Sequence, residues 1–144
     1  MSATNPLEKS ILKHVLLGNS ISAITPYMGL SVANPGEDAG ALDEPVIGGP
    51  EGYSRVDLLL ANGIASAWTT ADIDAASGSV LNANDIIFPT ATGDWGTLAY
   101  WFIANSSSGV GTGIIAYGAL TTPRTVVSGE QPIFAAGSFT MEAQ

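Results

Sequence analysis

The stretch "FPTATGDWGTLAYWFI", Phe88 to Ile103, decides how this chain folds. Its first half is turn-rich, with Pro89, Gly93, Asp94 and Gly96 around Trp95. Its second half carries large apolar groups on both faces. With a strand period of two, Leu98, Tyr100 and Phe102 point one way while Ala99, Trp101 and Ile103 point the other. A sheet in a two-layer sandwich buries one face, so a strand apolar on both needs a second cover: a helix, a loop or another subunit. Trp95, Trp101 and Tyr117 are the large groups expected beside that cover or at a subunit boundary, with ordinary core as the competing reading.

Working outward, "NSSSG" reads as a tight turn into the strand "VGTGIIAYGAL". "TTPRTVVSGEQP" reads as a kinked excursion with a short strand at Val126 and Val127, and "IFAAGSFTMEA" as the last strand. Upstream, "ITPYMGLSVA" sets Met28, Leu30 and Val32 on one face. Residues 34–52 hold five of the thirteen acidic residues and three prolines, and read as a long acidic surface loop. "YSRVDLLLA" is a strand closed by Asn62-Gly63, a hairpin signal, with "IASAW" as its return arm. "DIIF" then re-enters the sheet. Many short strands with no second helical period predict a mainly β chain, an antiparallel β-sandwich or jelly-roll-like domain over residues 21–144.

The one helix expected lies at the start, in "TNPLEKSILKHVLLGNS". Asn5 caps it, Pro6 takes the first helical position, Glu8 stands three residues after the cap, and Gly18 stops it. Leu7, Ile11 and Val15 fall four apart, with Leu12 and Leu16 widening the stripe, while Lys9, Ser10 and Lys13 hold the other side. Residues 1–20 are read as a helical docking segment. Its apolar face lies against a neighbour or the body, and Lys9 and Lys13 face acidic groups on a partner.

Charged residues are only 12% of the chain, and the net charge is −9. A surface of Ser, Thr, Asn and Gly is cheaper to desolvate than one of unpaired ions, which suits a subunit covered by its neighbours. Four basic residues in all leave no footprint for phosphate backbones, so nucleic acid is not an expected partner. No apolar run reaches the length of a membrane span, and "MSATNPLEKS" lacks the basic-then-apolar order of a signal peptide, so neither a membrane nor secretion is expected. The absence of cysteine removes disulfides and thiolate chemistry.

Candidate chemistry is thin. His14 has no second imidazole to converge with. "GVGTG" leads into a strand and lacks a P-loop lysine, and "DIDAAS" starts a calcium loop at Asp72 and Asp74 but fails at Ala76. Asn105-Ser106-Ser107 matches a glycosylation acceptor and reads as a turn, and no nucleophile elbow occurs. The expectation is a protein that is not an enzyme, with no cofactor and no metal.

Four segments in order, "PLEKSILKHVLLGNS", "GYSRVDL", "IIFPTATGDWGTLAYWFIA" and "YGALTTPRTVVSGEQPIFAAGSFTM", resemble a family of small tailed-bacteriophage virion proteins commonly labelled phage tail fibre protein. The likeness breaks at Leu59–Gly78, where the connection is longer. It implies a virion structural protein. Because the chain lacks the collagen triplets and heptads of a shaft, the expectation prefers a capsid decoration (cement) protein that binds and stabilises the major capsid protein shell. A tail fibre component or host-surface binding module is the alternative. Low charge and two-faced strands add the expectation of a homotrimer, with Leu7, Lys9, Ile11, Lys13, Val15, Trp95, Trp101 and Tyr117 at subunit or shell contacts.

Overall fold

The computed structural model describes residues 2–3, 5–20, 25–59, 79–109 and 113–142. In order these form β1 (Ser2–Ala3), α1 (Asn5–Leu17), β2 (Tyr27–Ser31), β3 (Val56–Asp57), β4 (Ser79–Leu81), β5 (Ile86–Ile87), β6 (Gly96–Ala104), β7 (Ile114–Val126), β8 (Ile133–Phe134) and β9 (Thr140–Glu142). The fold is mainly β and antiparallel, with a single helix among the described residues, at the N-terminus. The Asn62-Gly63 hairpin, "IASAW" and the Asp72–Asp74 motif lie outside the described residues.

The two-faced strand is β6, the centre of a five-stranded sheet ordered β1-β7-β6-β2-β3. Leu30 stands opposite Trp101 and Gly29 opposite Phe102 across β2 and β6, while Phe102 meets Tyr117 across β6 and β7. The remaining strands form two ribbons, β4 with β9 and β5 with β8. "DIIF" is therefore not a strand of the main sheet: Ile86 pairs with Phe134 and Ile87 with Ile133. The physical reason is the neighbouring "FPTATGDWG", whose backbone is held by chain beyond β7. Phe88 N–H donates to the Pro132 carbonyl at 3.0 Å and Ala91 N–H to the Glu130 carbonyl at 2.8 Å.

The kink expected at "TTPRT" occurs inside an unbroken strand instead of as an excursion. Leu98 opposes Arg124 and Tyr100 opposes Ala119, so residues 120–123 bulge out opposite Ala99. Pro123, which has no N–H to give a ladder, sits in that bulge. Of the described residues of "YSRVDLLLA", Tyr53 to Leu59, two form β3, and an N–H···O bond from Leu59 to the Asp57 carboxylate turns the chain after them.

Both faces of the sheet are closed within the subunit. On one, Met28, Leu30, Leu98, Trp101, Ile103 and Ala116 pack with Ile86, Phe88 and Phe139 from the ribbons. A chain of rings crosses this core: Trp101 meets Phe139 edge-on at 4.7 Å, Phe139 meets Phe134 at 5.9 Å, Phe134 meets Phe88 at 6.2 Å, and Tyr53 meets Trp95 edge-on at 5.1 Å. Such offset and edge geometries add about 0.5–1.5 kcal/mol per pair beyond area burial. Buried Asn82 ties the ribbons together, its side-chain amide donating to the Asn84 and Ala135 carbonyls and its oxygen accepting the Phe139 N–H, each at 2.9 Å.

The second face is smaller: Phe102, Ala104 and Ile114, covered by Ala39 and Leu42 of the acidic loop, with Tyr117 at its margin. Of the three covers the sequence leaves open, the loop supplies this one. The sheet permits the close approach by using glycine, since a Cβ at Gly29 would collide with the Phe102 ring.

Candidate functional site

The loop is pinned by a polar cluster that sequence reasoning did not single out. Arg55, buried, donates from Nε and Nη2 to the two carboxylate oxygens of Glu44 at 2.8 and 2.7 Å. It also donates to the carbonyls of Ser106 at 2.8 Å and Gly109 at 2.9 Å, and its guanidinium lies 5.0 Å from the Phe102 ring centroid. Tyr53 gives its hydroxyl proton to Glu44 at 2.8 Å and accepts the Leu30 N–H at 2.9 Å. Burial, and then the Glu44 charge, raise the Tyr53 phenol well above its usual 10.0. Every group is satisfied, so the cluster is a fastener between the acidic loop, β2 and the β6–β7 turn. The available signal was Arg55 itself, one of four basic residues, set in the apolar run "YSRVDLLL".

Fourteen of the apolar side chains gathered on the first face are buried, whereas none of the side chains described on α1, Glu8 to Leu17, is. The helix forms where its signals place it: it starts at Asn5 and ends at Gly18, whose φ of +67° suits glycine. Gly18 N–H donates to the His14 carbonyl at 3.1 Å, and the His14 ring Nδ1 donates to the Asn19 carbonyl at 2.7 Å. Every side chain described from Glu8 to Leu17 is exposed. Ile11 is 44% exposed, Leu12 57%, Val15 69%, Leu16 72% and Leu17 71%. A 13-residue helix is marginal alone in water, and an apolar stripe left uncovered marks an interaction surface.

The residues singled out from sequence thus separate into two groups. Lys9, Ile11, Lys13 and Val15 stand together on the exposed helix, and the Leu7 side chain lies outside the described residues. Trp95 (3% exposed) and Trp101 (7%) belong to the subunit's own core. Trp95 is anchored there by its indole N–H to the Glu51 carbonyl at 2.7 Å, and the Trp101 indole lies over Gly118, where a Cβ would stand 2.7 Å away. Neither tryptophan presents appreciable surface to a neighbour. Tyr117 is half-buried at the edge where β1 joins, opposite Ser2.

Among the described residues, no group of three or more His, Asp and Glu is placed to hold a metal ion. No helix there is long and apolar enough to cross a membrane. A groove of about 140 Å³ opens between β7 and β8, lined by Leu98, Leu120, Val126, Pro132, Ile133 and Phe134 with Thr122 and Arg124 at its side.

No curated protein matches the chain. The family model described as Podophage GP4 fiber I protein gp80 matches residues 2–142. That match takes in the exposed helix, the acidic loop and the sheet alike, so the likeness carried by the four quoted segments extends across the fold, and the chain belongs to this family of bacteriophage fibre proteins, structural components of the virion.

Proposed function

We propose that the protein is a non-enzymatic structural subunit of a podophage tail fibre assembly. Residues 1–20 act as the docking segment, residues 21–144 as the body, and copies of the chain associate as a homotrimer. The observation that carries this reading is the fibre-family match over residues 2–142. The geometry agrees with it: the body closes both faces of its sheet internally, and large apolar surface is concentrated on one projecting helix. The missing shaft repeats behind the capsid-decoration expectation are equally compatible with a small fibre subunit that is not the shaft, and the fibre family favours the tail over a site on the major capsid protein.

Electron microscopy of virions with and without this protein is the test. Loss of density at the tail, with an unchanged head, is the expected result. Loss of regularly spaced protrusions on the shell would instead establish the decoration reading.

A further inference from the structure

Half of the exposed large hydrophobic residues described in this protein lie on α1: Ile11, Leu12, Val15, Leu16 and Leu17, out of ten. The same chain has an apolar concavity to receive them, the groove between β7 and β8, with Ile133 48% exposed at its lip. Its volume of about 140 Å³ is close to the ~150 Å³ that accommodates a six-carbon ring in an apolar cavity, which is room for one or two aliphatic side chains. None of the residues that line the groove lies on the helix, and the helix side chains described are exposed.

We infer that α1 of one copy seats its Leu12–Leu16 stripe in the β7–β8 groove of a second copy. Charge selects a second copy's body over a second helix. α1 holds Lys9 and Lys13 against Glu8, a net +1 in a chain of −9, so the rest of the protein carries −10. A helix pairing with its twin brings like charge together. A helix lying on the body meets opposite charge, including Asp85, which precedes β5 and accepts the Ala136 N–H just past β8, while Arg124 in the groove is offset by Glu130 at 3.7 Å. The contact is heterologous, knob on one surface and hole on another, so repetition closes a ring such as a trimer or continues as a filament. The inference rests on the reading of the protein as an assembling structural subunit.

Because the chain has no cysteine, cross-linking of the full-length protein in solution tests this cleanly. Leu16→Cys mixed with Ile133→Cys under mild oxidation is expected to give the mixed disulfide, well above either variant alone and above a control mixture of Leu16→Cys with Val46→Cys. Leu16→Cys linking to itself as readily would overturn the groove contact in favour of paired helices, and yield no better than the control would overturn it altogether. Sedimentation provides a second measurement: Leu16→Glu and Ile133→Glu, both at exposed positions, are each expected to be monomeric and folded. Their mixture is expected to form a dimer through the one intact knob and the one intact hole. A mixture that stays monomeric, or a wild-type protein monomeric at micromolar concentration, overturns the inference. Neither experiment involves the virion, so cross-linking that succeeds while tail density is unchanged in virions without the protein removes the tail placement alone.

Discussion

At the scale of single residues, Arg55 is the group on which most depends, because it serves two loops and one carboxylate at once. Breaking a buried ion pair by removing one partner costs about 3–5 kcal/mol, since the survivor stays buried and uncompensated. Arg55→Met is therefore expected to lower the unfolding free energy by that order, read as a lower urea midpoint, and to open residues 34–52 to proteolysis. Pairing it with Glu44→Gln should recover part of the loss, and simple additivity of the two would show that the groups are not coupled. Tyr53 gives a pH test. Its folded-state pKa is raised, so its contribution is complete below about 10 and is lost as the pH climbs above its unfolded value toward the folded one. Absorbance titration should find one tyrosine ionising later than the others, with stability falling over that alkaline range. A normal titration for all four tyrosines would contradict the buried hydroxyl network.

At the scale of elements, α1 and β6 are opposites. β6 is enclosed on both faces, and small changes beside it are costly: Gly29→Ala drives a methyl group into Phe102, for which overpacking costs about 1–3 kcal/mol. Melting should show that loss, and a melt unchanged from wild type would mean the ring moves aside freely. α1, by contrast, is exposed from Glu8 to Leu17, and it joins the body through its approach to β7 and through β1, which adds the pairs Ser2 with Tyr117 and Ala3 with Ala116. Deleting residues 1–18 should leave the β circular dichroism signal intact and cost no more than about 1 kcal/mol, the order expected of surface changes, while abolishing self-association. Failure of the truncated chain to fold would show that the helix holds the sheet together.

At the scale of the whole molecule, the acidic loop is a layer of the fold as well as a solvated edge. Replacing residues 37–42 by a Gly-Ser segment of equal length should expose Phe102 and Ile114, giving binding of an apolar dye and aggregation. A soluble variant that binds no dye would show the second face closed by other means. The local signals were legible in the sequence because each is read over a few neighbouring residues. The helix from Asn5 to Leu17 and the turn at "NSSSG" follow from caps and turn chemistry. The two faces of β6 follow from its period except at Leu98, which the period places on the Phe102 face and which packs with Trp101 and Ile103 because the ladder shifts register between Leu98 and Tyr100. What covered β6, and whether Trp95 and Trp101 lay at a boundary or in the core, depended on chain fifty residues away. The loop's Ala39 and Leu42 are held at Phe102 by the tethers of Glu44 to Arg55 and of Asp43 to Val32 and Ser31, and β5 leaves the main sheet where Ile133 and Phe134 pair with it and the Pro132 and Glu130 carbonyls hold the chain that follows it. By itself the sequence determined a β chain with one amphipathic helix and few charged residues on its surface. The tertiary structure alone decided which apolar surface stays outside, because burial is a property of long-range contacts and a stripe of leucines reads the same whether it is covered or bare.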